Sequence, residues 1–419
     1  MKDIAEKSLF DIPGSWKTLL WILVILGIGM FIAGLMTGGE ESVVRTWQAF
    51  LINTVFWGGI AHAGVIFAVI WQITDAKWGR AFKRLAEACA GFLPISFLMF
   101  MVVFFGSHVL YEWTHTPFLH HGEAVKQGWL NLPFFISRNV FWLLLIYGIS
   151  YWFIKTSIKP DIALARRLIG SDWGGKFADW VLEDYGEHET EVIRLEKLSR
   201  KIAPVLAFVY SIGGSFLAWD FVMTLDQTWF STLFGVFVMI GNMHAFLGLM
   251  LVVAVTVRQK FGIEEYISIN RLHDLAKMTF AFSLLWTYMG YSQYIVIWYA
   301  DLPEETPYLI IRSMNAPWNT LFLVIILWVF VSVFIGLLPR TLCRIPNYIR
   351  LMGIWVMLGQ LLSVYIMVVP SLQHDGHYHI FMGLHELLIT LGFVGAFFLC
   401  YLAFLGKLPI LPISDKHLC

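Results

Sequence analysis

Charge is what this 419-residue chain has least of: Asp, Glu, Lys and Arg together make up 14% of it, against about 25% in an average soluble domain. The shortage excludes an ordinary soluble globule, because the apolar set alone reaches 58% and aromatic residues 16%. The charges that remain cancel, 29 basic against 29 acidic. No surplus of positive charge exists to neutralise a phosphate backbone, so no nucleic acid partner is expected. Cysteine is nearly as scarce. Cys89, Cys343, Cys400 and Cys419 lie far apart and form no C-x-x-C, no C-x-x-C-H and no four-thiolate group, so the chain is expected to carry neither an iron–sulfur cluster nor covalent c-type haem of its own. Cys89 and Cys400 fall at or within apolar runs and read as small packing residues.

What the chain does have is long apolar runs. A membrane span takes about 20 mainly apolar residues, and ten windows qualify: 17–36, 47–73, 90–111, 133–154, 202–225, 230–257, 275–299, 317–338, 348–369 and 382–405. Several begin or end at proline, as at Pro133, Pro317, Pro339 and Pro370, where a helix tolerates an N-terminal ring or stops before one. The first run is too long for a secretory signal and lacks a small-x-small site after Met36, so it is expected to remain as a span. An even number of spans puts both termini on one side. All but four of the 29 Lys and Arg residues fall on that side, the exceptions being Arg45, Lys126, Arg138 and Arg312. The positive-inside rule therefore predicts cytoplasmic termini. The one long polar connection, 155–201, is charged throughout and patterned for amphipathic helices over the cytoplasmic mouth, a solvated connector or a docking surface.

A repeat organises the spans. Span two contains Gly59-Ile60-Ala61-His62-Ala63 and span six Gly241-Asn242-Met243-His244-Ala245, while Arg84-Leu85-Ala86-Glu87 and Arg271-Leu272-His273-Asp274 open the spans that follow. Each pair of motifs recurs in the same order, offset by 182 and 187 residues, and each histidine lies about 21 to 23 Å from the outer end of its helix at 1.5 Å per residue. The expected fold is therefore all-α and integral to the membrane. It forms a single membrane domain over 1–419, with flanking helices 17–36 and 382–405, a first four-helix bundle over 47–225 carrying the insertion 155–201, and a second over 230–369.

Ionisable groups in hydrocarbon are expensive and normally face a bundle interior or a wet cavity. Sorted by depth, Glu87, His273, Asp274 and Lys277 stand toward the cytoplasm, His62 and His244 lie deeper, and His108, Glu112, Asp220, Asp226, His385 and Glu386 lie toward the outer side. Tyr288, Tyr291, Ser292, Gln293 and Tyr294 of span seven would link these levels by ordering water. That order fits a proton relay. The plainer reading has hydrogen-bonded packing histidines, Asp220 capping the backbone, and Arg84 or Arg271 holding the acids in structural ion pairs. Two outer loops are rich in histidine, with His115, His120 and His121 in one and His374, His377 and His379 in the other. Neither has the spacing of a closed metal site, and no metal is expected.

The segments Trp219–Gly235, Arg271–Lys277, Ser292–Pro307 and Pro133–Asn139 carry a resemblance. They look like the ActF family of membrane subunits of bacterial alternative complex III, a quinol:cytochrome c (or other acceptor) oxidoreductase of the bacterial inner membrane. The likeness runs over essentially the whole chain, with Gln227-Thr228 standing where relatives tend to have Pro-His. It implies a polysulfide-reductase-like membrane subunit of two four-helix bundles and two flanking helices. The implied partners are a multihaem cytochrome c, an iron–sulfur subunit related to molybdopterin enzymes, a monohaem cytochrome c, the sister membrane subunit ActC, lipids, and in some assemblies a terminal oxidase. Haem c and iron–sulfur clusters would then sit in the partners, and the sister subunit would hold the main quinol site.

Four functions follow for comparison. The first is a non-redox subunit for assembly and proton conduction, in which Asp274, Glu87 and His244 exchange protons with the cytoplasm and Asp220 with the outside. The second is a further quinone or quinol site beside Asp220 and His108. A b-type cytochrome ligated by His62 and His244 and an independent transporter complete the set, with a purely structural anchor as the plain alternative to the first.

Overall fold

The computed structural model describes residues 12–36, 39–116, 119–120, 123–124, 126–373 and 379–415. The chain is an all-α, multi-pass membrane protein, and among the described residues nine helices are long and apolar enough to cross a bilayer. In chain order the helices are α1 (Gly14–Met36), α2 (Glu40–Thr74), α3 (Arg80–Phe105), α4 (Leu132–Ile169), α5 (Gly175–Leu182), α6 (His188–Phe221), α7 (Phe234–Phe261), α8 (Ile269–Ala300), α9 (Thr306–Ser313), α10 (Trp318–Leu337), α11 (Pro346–Val368) and α12 (Leu384–Leu405). A short hairpin pairs Leu119–His120 with Glu123–Ala124. Nine of the ten expected spans meet that measure. The seventh window lies in α8, which is long at 32 residues, but Tyr, Trp, Ser and Gln dilute its hydropathy.

The central helices pack in two groups. Helix α2 lies against α3 and α6, and α4 packs along α6; in the second group α7 lies against α8 and α11, and α10 bridges α8 and α11. Helices α2 and α7 meet at the centre, α6 reaches α7, and α11 reaches α2. At that crossing Gly59 makes room for Asn242: a Cβ on Gly59 would lie 2.3 Å from the Asn242 amide, a close approach that only glycine allows. Because α2 is enclosed on all sides, 94% of its most apolar window is buried.

The flanking helices do not take one bundle each. Helices α1 and α12 pack on each other and on α2 and α3, both against the first bundle. Their antiparallel crossing is set by Gly27 and Gly392, where a Cβ on Gly27 would lie 2.5 Å from the Gly392 Cα; small residues give such close contact in membranes. At one face Ile12, Lys17 and Lys407 line a single groove, so both described chain ends lie there. This is called the terminal face, and its opposite the distal face.

The connection 155–201 is mostly helix. Helix α4 continues to Ile169, α5 is amphipathic and buries Ala178 and Val181, and α6 begins at His188. Leu408, Ile410, Leu411 and Ile413 of the segment after α12 are buried, and this tail closes the terminal face of the first bundle. Arg80 fixes it there, with Nη1 donating to Asp415 at 2.7 Å and Nη2 to Asp75 at 2.6 Å.

Candidate functional site

Three polar stations are stacked inside the first bundle. They share the inward face of α4, whose buried positions 139, 143, 146, 147, 150, 154, 157 and 161 recur every three or four residues and so form one stripe.

The distal station is an ion pair. Asp220, fully buried, accepts from Arg138 Nε at 2.8 Å and Nη2 at 2.7 Å, and from Asn139 Nδ2 at 2.9 Å. The Arg138 guanidinium lies 3.8 Å from the Trp129 ring centroid and 4.5 Å from that of Phe134. Asp220 therefore does not cap a helix; it is one half of a bidentate pair roofed by aromatic rings. Arg138 sits near the start of α4, and the sequence reading counts it only among the outer-side charges.

The middle station is a histidine among aromatic rings. The His62 ring meets Tyr147 edge-on at 4.7 Å and Tyr210 at 5.9 Å, and Tyr147 Oη shares a hydrogen bond with Ser96 Oγ at 2.9 Å. His62 Nε2 is buried without a hydrogen-bond partner among the described residues.

The terminal-face station is a closed charge cluster. Arg84 Nε donates to Asp161 Oδ2 at 2.6 Å, Nη1 donates to Glu87 and to Ser157 Oγ (3.1 Å), and Nη2 to the Ser157 carbonyl at 2.8 Å. Ser157 Oγ in turn donates to Glu87 Oε1 at 2.6 Å. The tail completes it, since the Ser414 amide donates to Asp161 Oδ1 at 2.8 Å and its hydroxyl to the same carboxylate. The structural reading of Arg84 holds here, with Asp161 as a second acid. Asp161 is invisible as a buried group while 155–201 is read as solvated; α4 carries it inward.

The second bundle is different. His244 is fully buried and meets Gln360 at 2.8 Å through Nδ1, while its Nε2 has no partner among the described residues. The two motif histidines point into different bundles, one toward α4 and α6 and the other toward α11, so the arrangement does not bring them face to face as paired haem ligands. At the terminal face Asp274 pairs with Lys277 at 2.6 Å, with 37% and 59% of their side chains exposed, and His273 is half-buried. This group does not reproduce the buried Arg84 cluster. Burial lowers the His273 pKa, and nearby Lys277 lowers it further.

The proposed link along span seven is corrected as well. The buried positions of α8, Leu272, Leu275, Ala276, Thr279, Ser283, Trp286, Gln293 and Ile297, define its inward stripe. At about 100° per residue, Tyr288 falls opposite that stripe and projects outward, 62% exposed, while Tyr291, 58% exposed, stands at the rim of a cavity between α7, α8 and α10. Gln293 turns in and accepts from Ser231 Oγ at 3.1 Å, and half-buried Tyr294 faces the cavity between α7, α8 and α10.

The other distal candidates serve the scaffold. Asp226 Oδ1 accepts from the Thr228 amide and hydroxyl and the Trp229 amide. Glu386 pairs with Arg45 at 2.7 Å and accepts from the Gly383 amide, and His385 meets Thr46 Oγ1 at 2.8 Å; together they tie α12 to α2. His108 is exposed, and so is His115, beside Thr114. His121, His374 and His377 lie outside the described residues, as do Cys419 and the side chain of His120.

A cavity of about 800 Å³ opens between α7, α8 and α10, lined among others by Trp286, Tyr291, Gln293, Asn319 and Phe330. Helix α10 is widened beside it by a π-helical segment, Ile326–Ser332, a distortion frequent at functional sites. At its distal end sits Arg312, 4% exposed, whose guanidinium donates to the carbonyls of Tyr308, Ile366 and Met367 and to Ser371 Oγ. It lies 3.4 Å from the Tyr308 ring centroid, and Tyr308 stacks on Trp229 at 3.8 Å. Burial lowers the Arg312 pKa from the ordinary arginine value, against the pull of Tyr308 and Asp226.

No protein-family model matches the chain, and no curated protein matches it.

Proposed function

We propose that this chain is an integral membrane subunit of a quinol:cytochrome c (or other acceptor) oxidoreductase of the alternative complex III type, where it holds the assembly together and carries protons through its first bundle. The reading combines the motif resemblance with one structural observation, the three stations along α4. Asn139, Tyr147 and Ser157 mark their levels, about 12 and 15 Å apart along the helix axis. Ser150, also buried on that stripe, shortens the second gap. Water bridging these steps would connect an imidazole and a phenol in the middle to acids at both ends, a sequence suited to proton transfer.

On this proposal the chain contains no electron carrier and performs no catalysis alone. Electrons pass through haem c and iron–sulfur centres of the partner subunits, and the sister membrane subunit oxidises quinol. Both termini face the cytoplasm of a bacterial inner membrane, in keeping with the distribution of Lys and Arg. Affinity purification through a tag on this chain tests membership: multihaem cytochrome c and an iron–sulfur partner should copurify with quinol:cytochrome c activity. Isolation of the chain with neither would overturn the proposal.

The quinone-site alternative is favoured at another place than Asp220 and His108. Both Asp220 oxygens are engaged and His108 faces outward, whereas the α7–α8–α10 cavity offers aromatic walls together with Gln293, Asn319 and Arg312 as polar contacts, the usual make-up of a small-molecule pocket. Labelling by a photoreactive quinone in α8 or α10 would favour that reading; labelling confined to the partner would remove it.

A further inference from the structure

A groove of about 950 Å³ runs between α1, α3 and α12, outside every station described above. Its walls include Trp21, Ile28 and Phe31 of α1, Met99 of α3 and Phe393 of α12, over a floor formed by the Gly27–Gly392 crossing. Of the residues that line it, Lys17 and Lys407 alone carry charge, and both are exposed at the terminal face. Neither has an acid within ion-pair distance among the described residues; Lys407 instead lies 5.3 Å from the Phe177 ring.

From this arrangement we propose that the groove binds a monoanionic phospholipid, one acyl chain lying along α1 and α12 and the phosphate held between Lys17 and Lys407. The dimensions suit a chain. From Lys17 to Phe31 the groove follows α1 for about 21 Å at 1.5 Å per residue, more than the roughly 15 Å half-thickness of the hydrocarbon layer. The charge suits an anion. Two cations on one groove, with no acid among the described residues that line it, are neutralised by a phosphate diester, whereas the ammonium of a zwitterionic headgroup would add a third positive charge beside them. This site is independent of the redox proposal.

Native mass spectrometry of the full-length chain in detergent, delipidated and then titrated with dioleoylphosphatidylglycerol, dioleoylphosphatidylethanolamine or glycerol 3-phosphate, tests it. Phosphatidylglycerol should bind at least tenfold more tightly than phosphatidylethanolamine, and glycerol 3-phosphate should not be retained. Joint Lys17→Gln and Lys407→Gln substitution should abolish the preference while the far-ultraviolet circular dichroism stays unchanged, and joint Lys→Arg substitution should keep it. Ala396→Trp, which fills the groove and leaves both lysines in place, should weaken phosphatidylglycerol binding. Equal binding of the two lipids, retention of the headgroup alone, an undiminished preference in the Gln variant, or dimerisation of the chain through this face would each overturn the proposal.

Discussion

The two bundles share a plan and differ in what they bury. The first encloses two ion-paired clusters, Arg138–Asp220 and Arg84–Glu87–Asp161, with His62 between them. The second encloses His244 with Gln360 and leaves its Asp274–Lys277 pair half in solvent. It has instead a side cavity ending at a buried arginine held by carbonyls and a hydroxyl. The first half thus buries paired acids and arginines, and the second a space beside an arginine held by neutral groups. A buried charge needs partners on several helices, and the first bundle recruits them from α3, α4, α6 and the C-terminal tail.

The largest test of this difference removes one member of a buried pair. Asp220→Asn leaves Arg138 without its counter-ion and should destabilise the protein by about 3–5 kcal/mol, read as a lowered thermal midpoint in detergent. Adding Arg138→Met to Asp220→Leu should recover most of the loss. A single variant as stable as the unmodified chain would mean that water already solvates the site.

Glu87→Gln should follow, because it leaves the Arg84 cluster with one acid of two and keeps the hydrogen-bonding shape. A loss of about 1–3 kcal/mol is expected, accompanied by faster proteolysis of the tail at Ser414 if the cluster anchors it. In the second bundle Gln360→Leu removes the hydrogen-bond partner of His244 Nδ1 and should cost about 1–2 kcal/mol, with no effect on the tail. Asp274→Asn should change stability by no more than about 0.5 kcal/mol, as an exposed i,i+3 pair does. Were Asp274→Asn to match Glu87→Gln, the two bundles would be equivalent and the contrast drawn here would fail.

Much of this was legible in the residues. Apolar runs marked the spans and their order, and the paired G-x-x-H-A motifs marked the two central helices, whose contact at Gly59 and Asn242 accounts for the glycine. Polar partners were harder to read. Arg138, Asp161 and Arg312 lie at or beyond the ends of apolar windows, where a charge ordinarily meets headgroups or water, and helices that extend past those windows carry them inside. Tyr288 and Tyr291 erred the other way. They lie within a span, but their angular position on α8 sets Tyr288 outside the bundle and leaves Tyr291 at the rim of the side cavity. The placement of α1 and α12 on one bundle has no signal in hydropathy at all, since it depends on glycines meeting across 365 positions of sequence.

The central claim, that protons cross through the first bundle and not the second, is tested most directly by the proton-to-electron ratio of the whole complex in liposomes, comparing His62→Gln with His244→Gln after assembly has been verified for both. The account predicts a reduced ratio for His62→Gln and an unchanged ratio for His244→Gln. A normal ratio in the His62 variant, or a loss confined to the His244 variant, would contradict it.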